Sequence, residues 1–385
     1  MPPLGILYLS AVLKRNGHYV DVVDLAGGAR LPTIEADVIG IGSTTPQFPS
    51  AVSIMNELKI SNPDALYVCG GPHASCDPKS VLDAGFDVCI MGEGERAFHE
   101  VVKMRENGVP LHRFMHRAPP IQNLDDLPFP DREAINVRVY KYLLDGERCT
   151  TMITSRGCQY NCAFCCKEPW GRKVRMHSAD RVINEIKEIQ ELGFSAVMFF
   201  DDIFILNKKR LYKICDYLRS QSIIWRCFVR SDLINREMLK TMARSGCKEM
   251  GLGVESGSQQ ILDNIHKGTT VEKNRECISL AKEYGISTKA FIIVGLPGES
   301  WSTIEETERF LEDTEPSDVD FTVLSVFPGS DIYQNPSKYD LKFDTAGVWY
   351  KGRPGEYVSH VATSSLTPQE IVDARDRLEK KFKRW

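Results

Sequence analysis

The stretch Arg156-Gly157-Cys158-Gln159-Tyr160-Asn161-Cys162-Ala163-Phe164-Cys165-Cys166 decides how the rest of the chain is read. Cys158, Cys162 and Cys165 are spaced C-x3-C-x2-C. A short loop of this spacing can turn three thiolates toward one point, as iron–sulfur ligation needs. Three ligands on a four-iron cluster leave one iron open to bind something else. Chance and a structural zinc site are the alternatives. Structural zinc asks for four closed ligands, usually as two separated pairs, and no second pair follows. Cys166 would be a fourth ligand only by position, and its place beside Cys165 points it away.

The segments around this loop give it a setting. Strands are expected near 149–155, 196–201, 224–229, 248–254, 287–294 and 319–326. Helices are expected near 178–192, 207–220, 235–245, 258–283 (broken around Gly268) and 302–313. Six β/α units in a row predict a partial (β/α) barrel of the TIM type over residues 148–330, with chemistry at the carboxyl ends of its strands. The cysteine loop follows the first of them. Residues 1–117 alternate in the same way, with strands at 18–25, 37–42, 65–70 and 87–91 and helices at 4–16, 48–61, 77–84 and 95–107. This predicts a separate doubly wound, Rossmann-like α/β domain. The proline-rich segment 118–147 reads as a linker. Residues 331–385 form a less regular capping segment, ending in a helix for which Thr367 is the N-cap before Pro368.

Composition bounds the function. The 385 residues carry 48 basic and 52 acidic side chains, a net charge of −4. That balance gives no support for a nucleic-acid or anionic-membrane partner. No apolar run approaches the ~18 residues of a spanning helix, and MPPLGILYLS lacks the features of a signal peptide. Twelve cysteines without a secretory signal point to thiols in a reducing, cytoplasmic setting. Cys215, Cys227, Cys247 and Cys277 read as core. No compact second set of cysteines suggests another cluster.

The loop resembles the signature of the radical S-adenosylmethionine (SAM) enzymes, C-x3-C-x-aromatic-C, through Cys158, Cys162, Phe164 and Cys165. The resemblance implies a 4Fe–4S cluster whose fourth iron chelates SAM, and one-electron cleavage of SAM to a 5′-deoxyadenosyl radical. Asp201 and Asp202 match the family's site for the SAM amino group, although the family has Gly-Gly-Glu; solvent-facing acids at a helix cap are the alternative. Arg230 would pair with the SAM carboxylate, or form a surface salt bridge. Gly251-Leu252-Gly253-Val254-Glu255-Ser256-Gly257 has its third glycine one position late for a dinucleotide fingerprint. It resembles the family's fourth-strand motif, in which Glu255 and Ser256 meet the ribose and methionine portions. The stretch Val294-Gly295-Leu296-Pro297 resembles the adenine-binding strand, its glycine allowing close backbone approach.

In the first domain, three strand-end loops are candidates for a large planar ligand: Ser43-Thr44-Thr45-Pro46-Gln47-Phe48, Gly70-Gly71-Pro72-His73 and Gly92-Glu93-Gly94-Glu95. Alone, they fit flavin, a nucleotide or no ligand. Joined to the linker and barrel, the domain resembles the cobalamin-binding half of class B radical SAM enzymes, most of whose characterised members are methyltransferases. There are two departures. The D-x-H-x-x-G motif that supplies a cobalt-ligating histidine is absent, so cobalamin is expected base-off without a histidine ligand. His73 is expected at the cofactor's edge or supporting its loop, with Gln47 or Phe48 near the lower face. The chain also opens at Pro2-Pro3-Leu4-Gly5, where the family has usually completed a first strand, so that strand is expected to be missing or the start late. The resemblance implies methyl transfer from methylcobalamin to an unactivated carbon after hydrogen abstraction. Expected partners are a flavodoxin- or ferredoxin-type one-electron reductant and a peptide, protein or small-molecule substrate. Trp349, Tyr350 and Tyr357 are candidate pocket residues or core.

Overall fold

A computed structural model of the chain describes residues 1–25, 31–344 and 356–383. The chain divides into two compact units. One is Met1–Lys141 with Cys166–Met176; the other is Tyr142–Cys165 with His177–Trp385.

In the first unit, β1 (Val38–Gly42), β2 (Leu66–Gly70), β3 (Val88–Ile90) and β4 (Phe114–His116) form a parallel sheet in that order. The helices are α1 (Leu4–Arg15), α2 (Phe48–Ser61), α3 (Pro72–Cys76), α4 (Pro78–Asp83) and α5 (Gly94–Glu106). Successive strand side chains point to opposite faces. Tyr67 and Cys69 accordingly pack with Met55, Leu58, Val81 and Phe86 on one side. Leu66 and Val68 pack with Ala97 and Val101 on the other. Helices therefore cover both faces, as the continuous apolar run of β2 requires. Residues 18–25 do not form the expected strand. In HYVDVVDL, Tyr19 is 91% exposed and Val23 41%; they share one face of the segment, and the alternate positions are only half-buried. The short strand β4, Phe-Met-His, carries no alternating pattern long enough to announce it.

In the second unit, β5 (Leu143–Leu144) runs antiparallel to β6 (Glu147–Met152). Five further strands are parallel to β6: β7 (Ala196–Phe199), β8 (Ile224–Val229), β9 (Cys247–Glu255), β10 (Ser287–Val294) and β11 (Asp318–Val323). They stand in chain order in one sheet of seven, a partial barrel. Helices α6 (Ala179–Glu191), α7 (Lys208–Leu218), α8 (Arg236–Arg244), α9 (Gln259–Asn264), α10 (Val271–Glu283) and α11 (Trp301–Thr314) connect them. Ser178, Asn207, Asn235 and Thr270 each accept an otherwise unpaired N–H at the start of α6, α7, α8 and α10. The break between α9 and α10 falls where expected: His266 and Gly268 take φ of 53° and 68°. Gly251 in β9 makes room for two rings, because a Cβ there would lie 2.5 Å from Phe228 and 3.0 Å from Phe291. No helix among the described residues is long and apolar enough to cross a membrane.

The closing helix, Pro368–Phe382, begins with Thr367 as cap, its hydroxyl accepting from the Glu370 N–H. Its Arg375 lies 3.7 Å from the centre of the Tyr357 ring, and Tyr357 is buried. Tyr357 is thus core; Trp349 and Tyr350 lie outside the described residues. Ile371 of this helix packs on Gly295, whose φ of 96° turns the chain after β10. Inside that turn Glu299 is 2% exposed and accepts the Gly295 N–H.

Burial pushes the Glu299 carboxyl up to about 8, against the lowering effect of the Gly295 and Leu296 amides. A carboxyl raised in the fold favours its neutral form. The stability it carries is whole below its unfolded value and is lost as pH rises through about 8. Glu299→Gln keeps the acceptor and removes the charge. The thermal midpoint of the unmutated protein should fall more than that of Glu299→Gln between about pH 5 and pH 9. Parallel curves would refute the buried-acid assignment.

Candidate active site

The cysteine loop leaves β6 under tight control. At the end of β7, Asp201 is 1% exposed and accepts from the Thr154 N–H and from the hydroxyls of Thr154 and Ser155. Desolvation raises its carboxyl above the ordinary range, opposed by the charge of Arg210 and by those donors. The expected SAM ligand Asp201 is therefore spent on the loop's root. Asp202 is exposed at the same strand end. Neither caps a helix; Asn207 does that for α7.

Further along, Ala163 is fully buried. Its N–H donates to the Ile265 carbonyl at 2.9 Å, and its carbonyl accepts from Ile332 at 3.1 Å. Cys158 is buried, while Cys162, Phe164 and Cys165 are half-buried. Among the described residues, no three His, Cys, Asp or Glu side chains could hold a single metal ion. A four-iron cluster takes each thiolate on a different iron, so three thiols on one anchored loop fit it without converging on one ion.

Arg230 follows β8 and is 6% exposed. Its guanidinium lies 3.6 Å from the centre of the Tyr160 ring, in the cysteine loop. It donates to the carbonyls of Lys267 at 2.8 Å and Gly268 at 3.4 Å, and pairs with Asp232 at 3.0 Å. This is no surface salt bridge. Lys267 in turn donates to Glu255 at 2.6 Å, both side chains being under 10% exposed. Glu255 holds a φ of 64°, a conformation a non-glycine residue keeps only where surroundings impose it. Arg230 and Glu255 are thus joined through Lys267. Ser256 turns elsewhere, to the Thr307 hydroxyl. Sequence reasoning missed Tyr160 and Lys267; the signal available was the Lys-Gly pair at the helix break. In the adenine-like turn, Val294 gives its carbonyl to the Leu324 N–H, Pro297 gives its carbonyl to Asn264, and Leu296 is fully buried.

In the first unit, the strand-end loops are bonded into one ledge. Ser43 donates to the Gly70 carbonyl and accepts from the His73 N–H, each at 3.1 Å. Gly71 has a φ of 94°, and a Cβ on it would sit 2.9 Å from the Ser43 carbonyl. Ser75 accepts the Gly92 N–H. His73 is 5% exposed, with Nδ1 3.3 Å from the Thr45 hydroxyl, Nε2 3.0 Å from that of Ser80, and its ring stacked on Phe48. Burial lowers its pKa. Both nitrogens are engaged, which suits the loop-supporting role. Gln47 accepts from the Thr44 N–H and hydroxyl, and Pro46 starts the short turn it closes. Gly94 begins α5 and Glu95 is buried in its first turn. Glu93 is internal: it pairs with Arg175 and accepts the Ile121 N–H. The first two strands end in Gly42 and Gly70, and Gly92 lies two residues past the third.

Arg230→Ala should lower iron retained per chain after reconstitution. A desolvated cation–π contact is worth about 2 kcal/mol, roughly thirtyfold in the loop-ordering equilibrium. Tyr160→Phe should behave as unmutated, since only the ring face is used. Equal iron retention in Arg230→Ala and the unmutated chain would rule out the clamp.

The radical SAM superfamily profile matches residues 152–311, and the B12 binding domain profile matches residues 1–102. An uncharacterised methyltransferase of Pyrococcus horikoshii is 31% identical over 360 residues, 86% of this chain and 78% of that protein. The anaerobic magnesium-protoporphyrin IX monomethyl ester cyclase of Rubrivivax gelatinosus is 28% identical over 373 residues, 86% of this chain and 66% of that one. Among solved structures, the radical SAM methyltransferase TsrM of Kitasatospora setae superposes with a TM-score of 0.71 at 17% identity, covering 90% of this chain and 76% of that one. The cobalamin-dependent SAM radical enzyme OxsB gives 0.68 at 21%, covering 87% and 52%. The chain belongs to the cobalamin-dependent, class B radical SAM methyltransferase family.

Proposed function

We propose that the enzyme moves a cobalamin-carried methyl group to an unactivated carbon of a peptide, protein or small-molecule substrate. The observation that carries this reading is the anchored three-thiol loop of the barrel, in one chain with a B12-binding domain. When bound, the cluster and SAM supply hydrogen-atom abstraction and cobalamin supplies the methyl group. The chain's own work is positioning. Cys158, Cys162 and Cys165 would each hold one iron of the cluster, with half-buried Phe164 between the last two in sequence. Arg230 fixes the loop through Tyr160, and the Lys267–Glu255 pair fixes the strand end beside it. Asp202, exposed at the end of β7, is the acid we assign to an ammonium group. The ledge of Ser43, Thr44, Gly70, Gly71 and Gly92 takes the corrin edge. His73 keeps both nitrogens on hydroxyls, which supports cobalamin bound base-off with no imidazole ligand. A flavodoxin- or ferredoxin-type donor supplies single electrons, and an oxygen-sensitive cluster suits the cytoplasm.

The likeness to a cyclase favours one second reading, ring closure without methyl transfer. Product mass separates the two. Methyl transfer replaces a hydrogen by CH3 and consumes two SAM for each product; an unmethylated product would overturn the reading. Cys158→Ala should abolish the cluster's visible absorbance while cobalamin stays bound. Loss of both would contradict cofactor sites carried by separate domains.

A further inference from the structure

Cys76 and Cys166 are 90 residues apart in sequence, yet their sulfurs lie 2.6 Å from each other within the first unit. Both residues are half-buried, unlike the cysteines of the core. Each stands on a fixed piece of chain. Cys76 closes α3, whose first turn is tied to Ser43 through the His73 N–H. Cys166 opens the segment 166–176, which is held by Glu168 on Arg117 at 3.4 Å, Lys173 on Gln122 at 2.9 Å, and Arg175 on the Ile121 carbonyl at 2.6 Å. The other cysteines outside the cluster loop are buried. Burial pushes Cys89, Cys149, Cys215 and Cys277 up to about 12, which keeps them protonated and inert. Cys227 and Cys247 also interact, but both are buried and Cys247 is raised well above the ordinary thiol value. They supply an internal control.

We propose that Cys76 and Cys166 form a redox-active dithiol, a site of two-electron oxidation by small-molecule disulfides. The reaction balances as thiol–disulfide exchange. One thiol loses its proton and attacks the small disulfide, expelling one small thiolate. The second thiol, likewise deprotonated, attacks the mixed disulfide and expels the other. Two electrons pass from the protein sulfurs to the small disulfide, which leaves as two thiols. The product fastens the segment following the cluster loop to the end of α3. This inference stands apart from the methyl-transfer reading, because it requires neither SAM nor substrate.

The test is made on the cluster-loaded, unmutated protein, in which iron shields Cys158, Cys162 and Cys165. It is incubated anaerobically with oxidised glutathione, alkylated, and mapped by mass without reduction. The expected product is a peptide pair joined through Cys76 and Cys166, two hydrogens lighter than its parts and separated by dithiothreitol, with iron content unchanged. Cys76→Ser should abolish the link and leave Cys166 as a mixed disulfide with glutathione. Full alkylation of both thiols, a link from Cys166 to a loop cysteine, or a link between Cys227 and Cys247 in its place would each overturn the proposal.

Discussion

The site depends on one buried cation. The cysteine loop has little apolar surface of its own beyond Tyr160, Ala163 and Phe164, so it cannot order itself by burial. Its order is imposed from outside. Arg230 lays a flat guanidinium on Tyr160 while its N–H groups satisfy carbonyls at the helix break. A lysine could supply charge there but not the planar face with its fork of donors. The break itself is needed: an unbroken helix would keep the carbonyls of Lys267 and Gly268 for its own ladder. Left-handed backbone at His266 and Gly268 frees them, and the Ile265 carbonyl just before takes Ala163. An interruption in a helix thus becomes the platform on which the cluster loop rests.

The first unit follows the same rule of satisfied polar groups, with a different outcome. Its strand-end loops bond to one another, and Gly71 lets two of them approach more closely than any side chain would permit. A histidine in such a place invites assignment as a metal ligand. Its hydroxyl partners and its stack on Phe48 instead make His73 a beam of the ledge. Loops already bonded to one another would have little order left to gain on meeting a ligand.

Much of this was legible in the sequence, and the failures have physical causes. The starts of α6, α7 and α8 lie within a residue of expectation, and Ser178, Asn207 and Asn235 fix them locally, within three residues of the groups they cap. The cysteine loop was readable because its spacing is itself the chemistry. Strand 18–25 was misread because alternation in sequence says nothing about whether a partner strand exists. Asp201 and Glu93 were placed at ligands because an acid at a strand end looks the same whether it faces a cofactor or turns inward. Only the fold shows that one holds the loop's root and the other an internal arginine. Lys267 was missed because its partner, Glu255, is 12 residues away across a chain reversal.

The cysteines carry the last step. A radical-generating cluster needs three thiolates, in one register, and no competitors. Seven cysteines outside the cluster loop are buried, and burial pushes up the thiols of Cys69, Cys89, Cys149, Cys215, Cys247 and Cys277. Cys166 cannot be withdrawn in that way, because it follows a ligand directly and shares the loop's exposure. A free thiol in that position would offer iron a shifted set of ligands. Its engagement with Cys76 answers the problem by geometry rather than burial. The thiol that follows the C-x3-C-x2-C loop in sequence is held by a partner on another element.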